Sequence, residues 1–118
     1  MNTSATVLTV FVAALHGYFL VLEMFFWDRP TGRRIFGTTP QFATASKTLA
    51  ANQGLYNGFL AAGLVWGLAL GTQGIPIREF FLSCVLIAGI YGGITVNRRI
   101  LVVQGAPAAL ALWALLPG

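Results

Sequence analysis

Charge is scarce in this chain: seven Lys or Arg and three Asp or Glu make 8% of 118 residues, against roughly a quarter in an ordinary soluble domain. That excludes a normal water-facing surface. A lone cysteine, Cys84, excludes both an intramolecular disulfide and a cysteine-based metal site. No Lys or Arg precedes the first apolar run, so the basic opening of a secretory signal peptide is missing and the first helix is expected to be retained. No GxSxG, HExxH, P-loop or dinucleotide fingerprint occurs, which leaves the common hydrolytic, zinc-protease and nucleotide chemistries without support. The net charge of +4 comes without a dense basic cluster on a polar fold, so no nucleic-acid partner is expected.

What the sequence has is apolar length. With 57% apolar residues and a mean hydropathy of +0.78, it belongs in a lipid bilayer. At about 20 apolar residues per spanning helix, the length accommodates four spans and no soluble domain. The expected fold is all-α, a polytopic four-transmembrane-helix bundle forming a single membrane domain over 1–118, with helices at about 5–26, 48–71, 80–96 and 101–116. Thr38 with Pro40 and Gln41 resembles a capping box, which would extend the second helix from near Gln41. The short Asn97-Arg98-Arg99 link makes the last two helices an antiparallel hairpin.

Loops one and three carry Arg29, Arg33, Arg34, Lys47, Arg98 and Arg99, while the opposite side offers only Arg78, beside Glu79. By the positive-inside rule the arginine loops face the cytoplasm, and both termini and the 72–79 turn face outward. Gly54 and Gly58, Gly63, Gly67 and Gly71, and Gly89 with Gly93 recur at helix-packing spacing, which predicts close backbone contacts. Such glycine-lined faces also favour self-association, and a homo-oligomer is expected.

Polar groups at membrane depth are costly unless paired or functional. His16 and Glu23 lie seven residues apart in the first helix, on one face and about 10 Å apart along the axis, so a substrate or water would have to bridge them. Asn52, Gln53, Tyr56 and Asn57 group on one face of the second helix. Tyr91 and Thr95 share a face of the third, Arg98 follows, and Gln104 opens the fourth. Apart from His16 near the midplane, every strongly polar intramembrane residue falls in the cytoplasmic half. A continuous pore would need polar lining throughout, so the pattern predicts a polar pocket open to the cytoplasm or inner leaflet and closed outside. Each Asn, Gln or Thr alone is ordinary interhelical glue, and Glu23 alone could pair with a cytoplasmic arginine.

The run from Leu49 to Leu64, with Asn52-Gln53-Gly54-Leu55-Tyr56-Asn57-Gly58 its most specific part, the His16 and Glu23-Met24 helix, Arg29-Pro30-Thr31-Gly32-Arg33, Tyr91-Gly92-Gly93-Ile94-Thr95 and Val103-Gln104-Gly105-Ala106-Pro107 together resemble the bacterial membrane family catalogued as domain of unknown function 1304. The resemblance spans nearly the whole chain and implies a small four-helix protein of the bacterial inner membrane. It implies no reaction. In size and helix count the chain is also loosely similar to small haem-using membrane isomerases, whose haem-ligating histidine lies on the second helix, where this chain has none.

Three functions follow as expectations. The first is an intramembrane site that binds, and isomerises or hydrolyses, a small lipophilic molecule. There His16 and Glu23 supply acid/base chemistry, Asn52, Gln53 and Asn57 orient a substrate oxygen, Tyr56 and Tyr91 donate hydrogen bonds, and Thr95, Arg98 and Gln104 complete the lining. The second is a proton-coupled transporter resembling small multidrug exporters, with Glu23 as the coupling group. The third is an accessory or scaffold subunit. No cofactor is predicted, and haem would have only His16 as an axial ligand.

Overall fold

The structure, a computed structural model, describes residues 2–117. It is all-helical, with no strand among the described residues. The elements are α1 (Thr3–Phe25), α2 (Pro30–Phe36), α3 (Pro40–Ala69), a 3-10 turn (Gly71–Gly74), α4 (Ile75–Thr95), α5 (Arg98–Ile100), a π turn (Leu101–Gly105) and α6 (Ala106–Leu115).

Local chemistry sets these bounds. The Asn2 side chain accepts from the Ala5 amide at 3.2 Å, meeting one of the amides left over at a helix start. Pro30 opens α2, whose end is turned by Gly37 at φ 67°, a left-handed conformation that favours glycine. Thr39, not Thr38, caps α3: its hydroxyl accepts from the Phe42 amide at 3.1 Å. The α3 helix therefore starts at Pro40, eight residues before the expected apolar run, and its 30 residues extend roughly 45 Å. The expected 72–79 turn shrinks to the four-residue Gly71–Gly74 segment, because Pro76 at the head of α4 is compatible with a first helical turn. Asn97 caps α5 by accepting from the Arg99 amide at 2.9 Å. The π turn precedes Pro107, whose missing N–H and bulky ring disfavour a regular α-helical ladder there.

Three helical segments are long and apolar enough to cross a membrane: Thr3–Phe25, Gly71–Thr95 and Arg98–Leu115. The expected second span, α3, is not among them, since Lys47, Asn52, Gln53 and Asn57 dilute its apolar stretch. Phe80, Ile87, Tyr91 and Ile94 stand exposed along α4, an apolar outer face compatible with lipid.

The chain falls into two compact units. One is Leu15–Phe59, and the other comprises the described residues before Leu15 and after Phe59. The second unit has a core of Val12, Ala13, Leu64, Leu82, Val85, Ala108 and Ala111. Its helices meet at glycines: a Cβ on Gly89 would lie 2.6 Å from the Gly105 amide nitrogen, and one on Gly93 2.8 Å from Leu101 Cβ. Both fit the close contacts expected from glycine spacing.

In Leu15–Phe59, Gly54 sits against Met24, Glu23 and Leu20, and Gly58 against Leu20. A substituent at either position would separate α1 from α3. The connecting segment is tied down by rings and polar contacts. Trp27 packs on Phe36 with centroids 4.9 Å apart, and its indole N–H donates to Ser46 Oγ at 3.0 Å. Gly32 lies directly under the Phe26 carbonyl.

Candidate functional site

Glu23 is the most informative side chain of the first unit. It lies near the end of α1, a membrane-compatible helix, and is 4% exposed. Two amides from α3 hold its carboxylate: Gln53 Nε2 donates to Oε2 at 2.8 Å, and Asn57 Nδ2 donates to Oε1 at 2.5 Å. Gln53 and Asn57 are four residues apart, one helical turn, so both amides reach the same carboxylate. Gly54, between them, allows the helices to come this close.

Among the described residues no Lys or Arg pairs with Glu23. The expected pairing with a loop arginine does not form, and two of those arginines have other contacts. Arg33 Nη1 donates to the Asp28 carbonyl at 2.6 Å, and the Arg29 guanidinium lies 5.6 Å from the Phe26 ring centroid. Lys47 instead pairs with Asp28 at 3.2 Å. A carboxylate buried among neutral donors keeps a charge that no neighbouring cation offsets.

The remaining candidates are divided between the two units. His16 is fully buried in the same unit, with its ring edge-on to Phe19 at 5.6 Å. Asn52 and Tyr56 are exposed, and Tyr56 packs edge-on to Phe59. The polar stripe of α3 is thus divided: Gln53 and Asn57 turn to Glu23, while Asn52 and Tyr56 do not join the carboxylate. Tyr91, Thr95, Arg98 and Gln104 belong to the other unit. Tyr91 and Arg98 are exposed there, Gln104 is half-buried, and the Thr95 hydroxyl donates back to the Tyr91 carbonyl at 2.7 Å.

A second buried polar cluster was not anticipated. Arg78, expected as a loop charge on the outer side, is fully buried. Its Nη2 donates to the Ala5 carbonyl at 2.9 Å and to Thr9 Oγ1 at 2.8 Å, while the Thr9 hydroxyl donates to the same carbonyl at 2.7 Å. The early start of α4 is the reason: Arg78 falls in its first turn rather than in a loop. Strongly polar burial is therefore not confined to the residues singled out from sequence. The available signal was Thr9, a hydroxyl in an otherwise apolar stretch of α1. Arg78 also lines a cleft of about 350 Å³ with Asn2, Thr72, Ile75 and Leu115.

Outside the spanning segments, the Lys47 hydrogen bond holds the half-buried Asp28 carboxyl below its usual 3.8. A depressed carboxyl contributes stability above its unfolded pKa and loses it as pH falls through the folded value. Asp28 is expected to titrate below 3.8 by NMR and to return toward that value in Lys47→Met. An unchanged titration in that variant would show that the pair does not persist in solution.

Together these features define a small all-helical chain with membrane-compatible helices and a buried carboxylate held by two amides. Residues 10–116 match the family described as protein of unknown function (DUF1304), and the chain belongs to that family. It is similar to the uncharacterized protein YpaA of Lactococcus lactis subsp. lactis (strain IL1403), with 31% identity over 114 residues, 95% of this chain and 96% of that protein. No solved structure matches the chain.

Proposed function

We propose that this protein is a four-span protein of the bacterial inner membrane whose Glu23, Gln53 and Asn57 form a cytoplasm-facing intramembrane site for a small lipophilic molecule. One observation carries the reading: a carboxylate 4% exposed in a membrane-compatible helix and bonded only to amide side chains among the described residues. A purely structural clasp would be met at lower cost by neutral partners, since burying a carboxylate needs compensation.

In this site Glu23 is the proton-handling group, and Gln53 and Asn57 fix its orientation. That is the equipment of acid/base isomerisation or hydrolysis. The arginine-rich loops set the orientation, with Arg29, Arg33, Arg34, Lys47, Arg98 and Arg99 on the cytoplasmic side. Native mass spectrometry from mild detergent tests the site and the expected homo-oligomer in one spectrum. A retained small molecule that is lost in Glu23→Leu and kept in Asn52→Leu is the expected result. An oligomer that carries no molecule, or one whose ligand is indifferent to Glu23, would overturn it.

A second reading, proton-coupled transport of small-multidrug-exporter type, is favoured by the lack of a cationic side chain at Glu23 among the described residues. It requires a flux in proteoliposomes that disappears in Glu23→Gln.

A further inference from the structure

We infer that the ligand of the Glu23 site carries a protonated amine on an apolar body. This rests on the proposed lipophilic-ligand site and adds the charge and donor chemistry of what occupies it. The Glu23 carboxylate is 4% exposed, and among the described residues no Lys or Arg compensates it. Its two partners, Gln53 Nε2 and Asn57 Nδ2, are neutral donors. They orient the carboxylate without cancelling its charge. An anionic ligand would add like charge at a site with no cation, and a neutral one would leave the carboxylate's charge as it stands.

An ammonium group compensates that charge and brings N–H donors. Each side-chain amide bears a carbonyl oxygen next to its NH2, so the clasp offers acceptors beside the carboxylate for those donors. The surroundings suit the rest of the molecule. Leu20 and Met24 lie on the same stretch of α1, against Gly58 and Gly54 respectively. Gln53 is exposed, and rotation of its side chain frees Oε2, the carboxylate oxygen that it holds. Proton transfer between the ammonium N–H and the Glu23 carboxylate moves one proton and leaves a neutral amine and a neutral acid, which requires no further reactant.

The test compares three fluorescent probes with one apolar body: naphthylethylamine, naphthylethanol and naphthylacetate. Their binding to the full-length protein in mild detergent is measured in weakly alkaline buffer, where carboxyls are ionised and alkylamines remain protonated. The amine is expected to bind at least about 30-fold more tightly than the alcohol, the scale set by a buried charge pair, with the acetate weakest. In Glu23→Gln the amine should fall to the level of the alcohol, while Glu23→Asp keeps the preference. If Glu23→Gln is not monodisperse, Gln53→Glu serves instead: a second carboxylate beside the first should increase the preference for the amine, and no increase counts against the inference. Equal binding of amine and alcohol to the unmodified protein would overturn the amine inference and leave the lipophilic site standing. Failure of all three probes to bind the folded protein would overturn both.

Discussion

Gly74→Ala is expected to lower the melting temperature in mild detergent by roughly 10 °C, corresponding to about 3 kcal/mol. The backbone at Gly74 has φ −87°, which alanine adopts without strain, so the cost is entirely one of contact. A Cβ there would run into the Gly67 carbonyl oxygen and lie 3.0 Å from the Gly67 Cα. These are backbone atoms and cannot rotate aside, unlike the end of a flexible side chain. Relief would require the Gly71–Gly74 turn to move away from α3. Arg78 begins only four residues later and packs on Gly67 as well, so the same shift would disturb its hydrogen bonds to Ala5 and Thr9. Gly17→Ala is the matched control, since nothing lies within 4 Å of a Cβ at that helical position. There the methyl is expected to be neutral or stabilising by up to about 1 kcal/mol. Equal behaviour of the two variants would refute the Gly67–Gly74 contact.

The second large effect concerns the clasp. Asn57→Leu removes the donor to Glu23 Oε1 and leaves a buried acceptor unsatisfied, which costs about 2 kcal/mol. Gln53→Leu should cost less although it removes the donor to Oε2, because Gln53 is exposed and solvent can take the place of its amide there. The double variant Glu23→Leu with Asn57→Leu should recover much of the loss, since replacing both partners by apolar groups removes the stranded charge. Thermal unfolding in one detergent of the unmodified protein, the single variants Asn57→Leu, Gln53→Leu and Glu23→Leu, and the double variant decides it. If Asn57→Leu is as mild as Gln53→Leu, water reaches both carboxylate oxygens and Glu23 is not enclosed; if both cost about 2 kcal/mol, water replaces neither amide. Non-additivity in the double variant would establish that Glu23 and Asn57 act as a unit.

Glu23, Gln53 and Asn57 were each legible as polar residues out of place in an apolar chain, and the four-residue spacing of Gln53 and Asn57 placed their amides on one helical face. Which partner that face meets was not legible. Asn52 and Tyr56 have the same credentials in sequence as Gln53 and Asn57, yet only the latter two bond to the carboxylate. Rotation of a helix about its axis is set by what packs on it, and a near-uniform apolar background gives little periodic contrast from which to read that rotation. Arg78 shows the same limit from the other direction. As a charge near a predicted turn it reads as an ordinary loop residue, and only the start of α4 at Ile75 places it where Thr9 and Ala5 receive it.

The sequence by itself determined the class: 8% charged and 57% apolar residues mark a helical chain with membrane-compatible segments, and glycine spacing marks where its helices approach. It also carried the family, through motifs spread over residues 10–116. The tertiary structure decided what no composition contains. It joined Glu23 to two amides 30 and 34 residues away and brought Arg78 to a hydroxyl 69 residues away. Such pairings depend on the register and rotation of one helix against another, which many side-chain contacts fix collectively and no single stretch of sequence records.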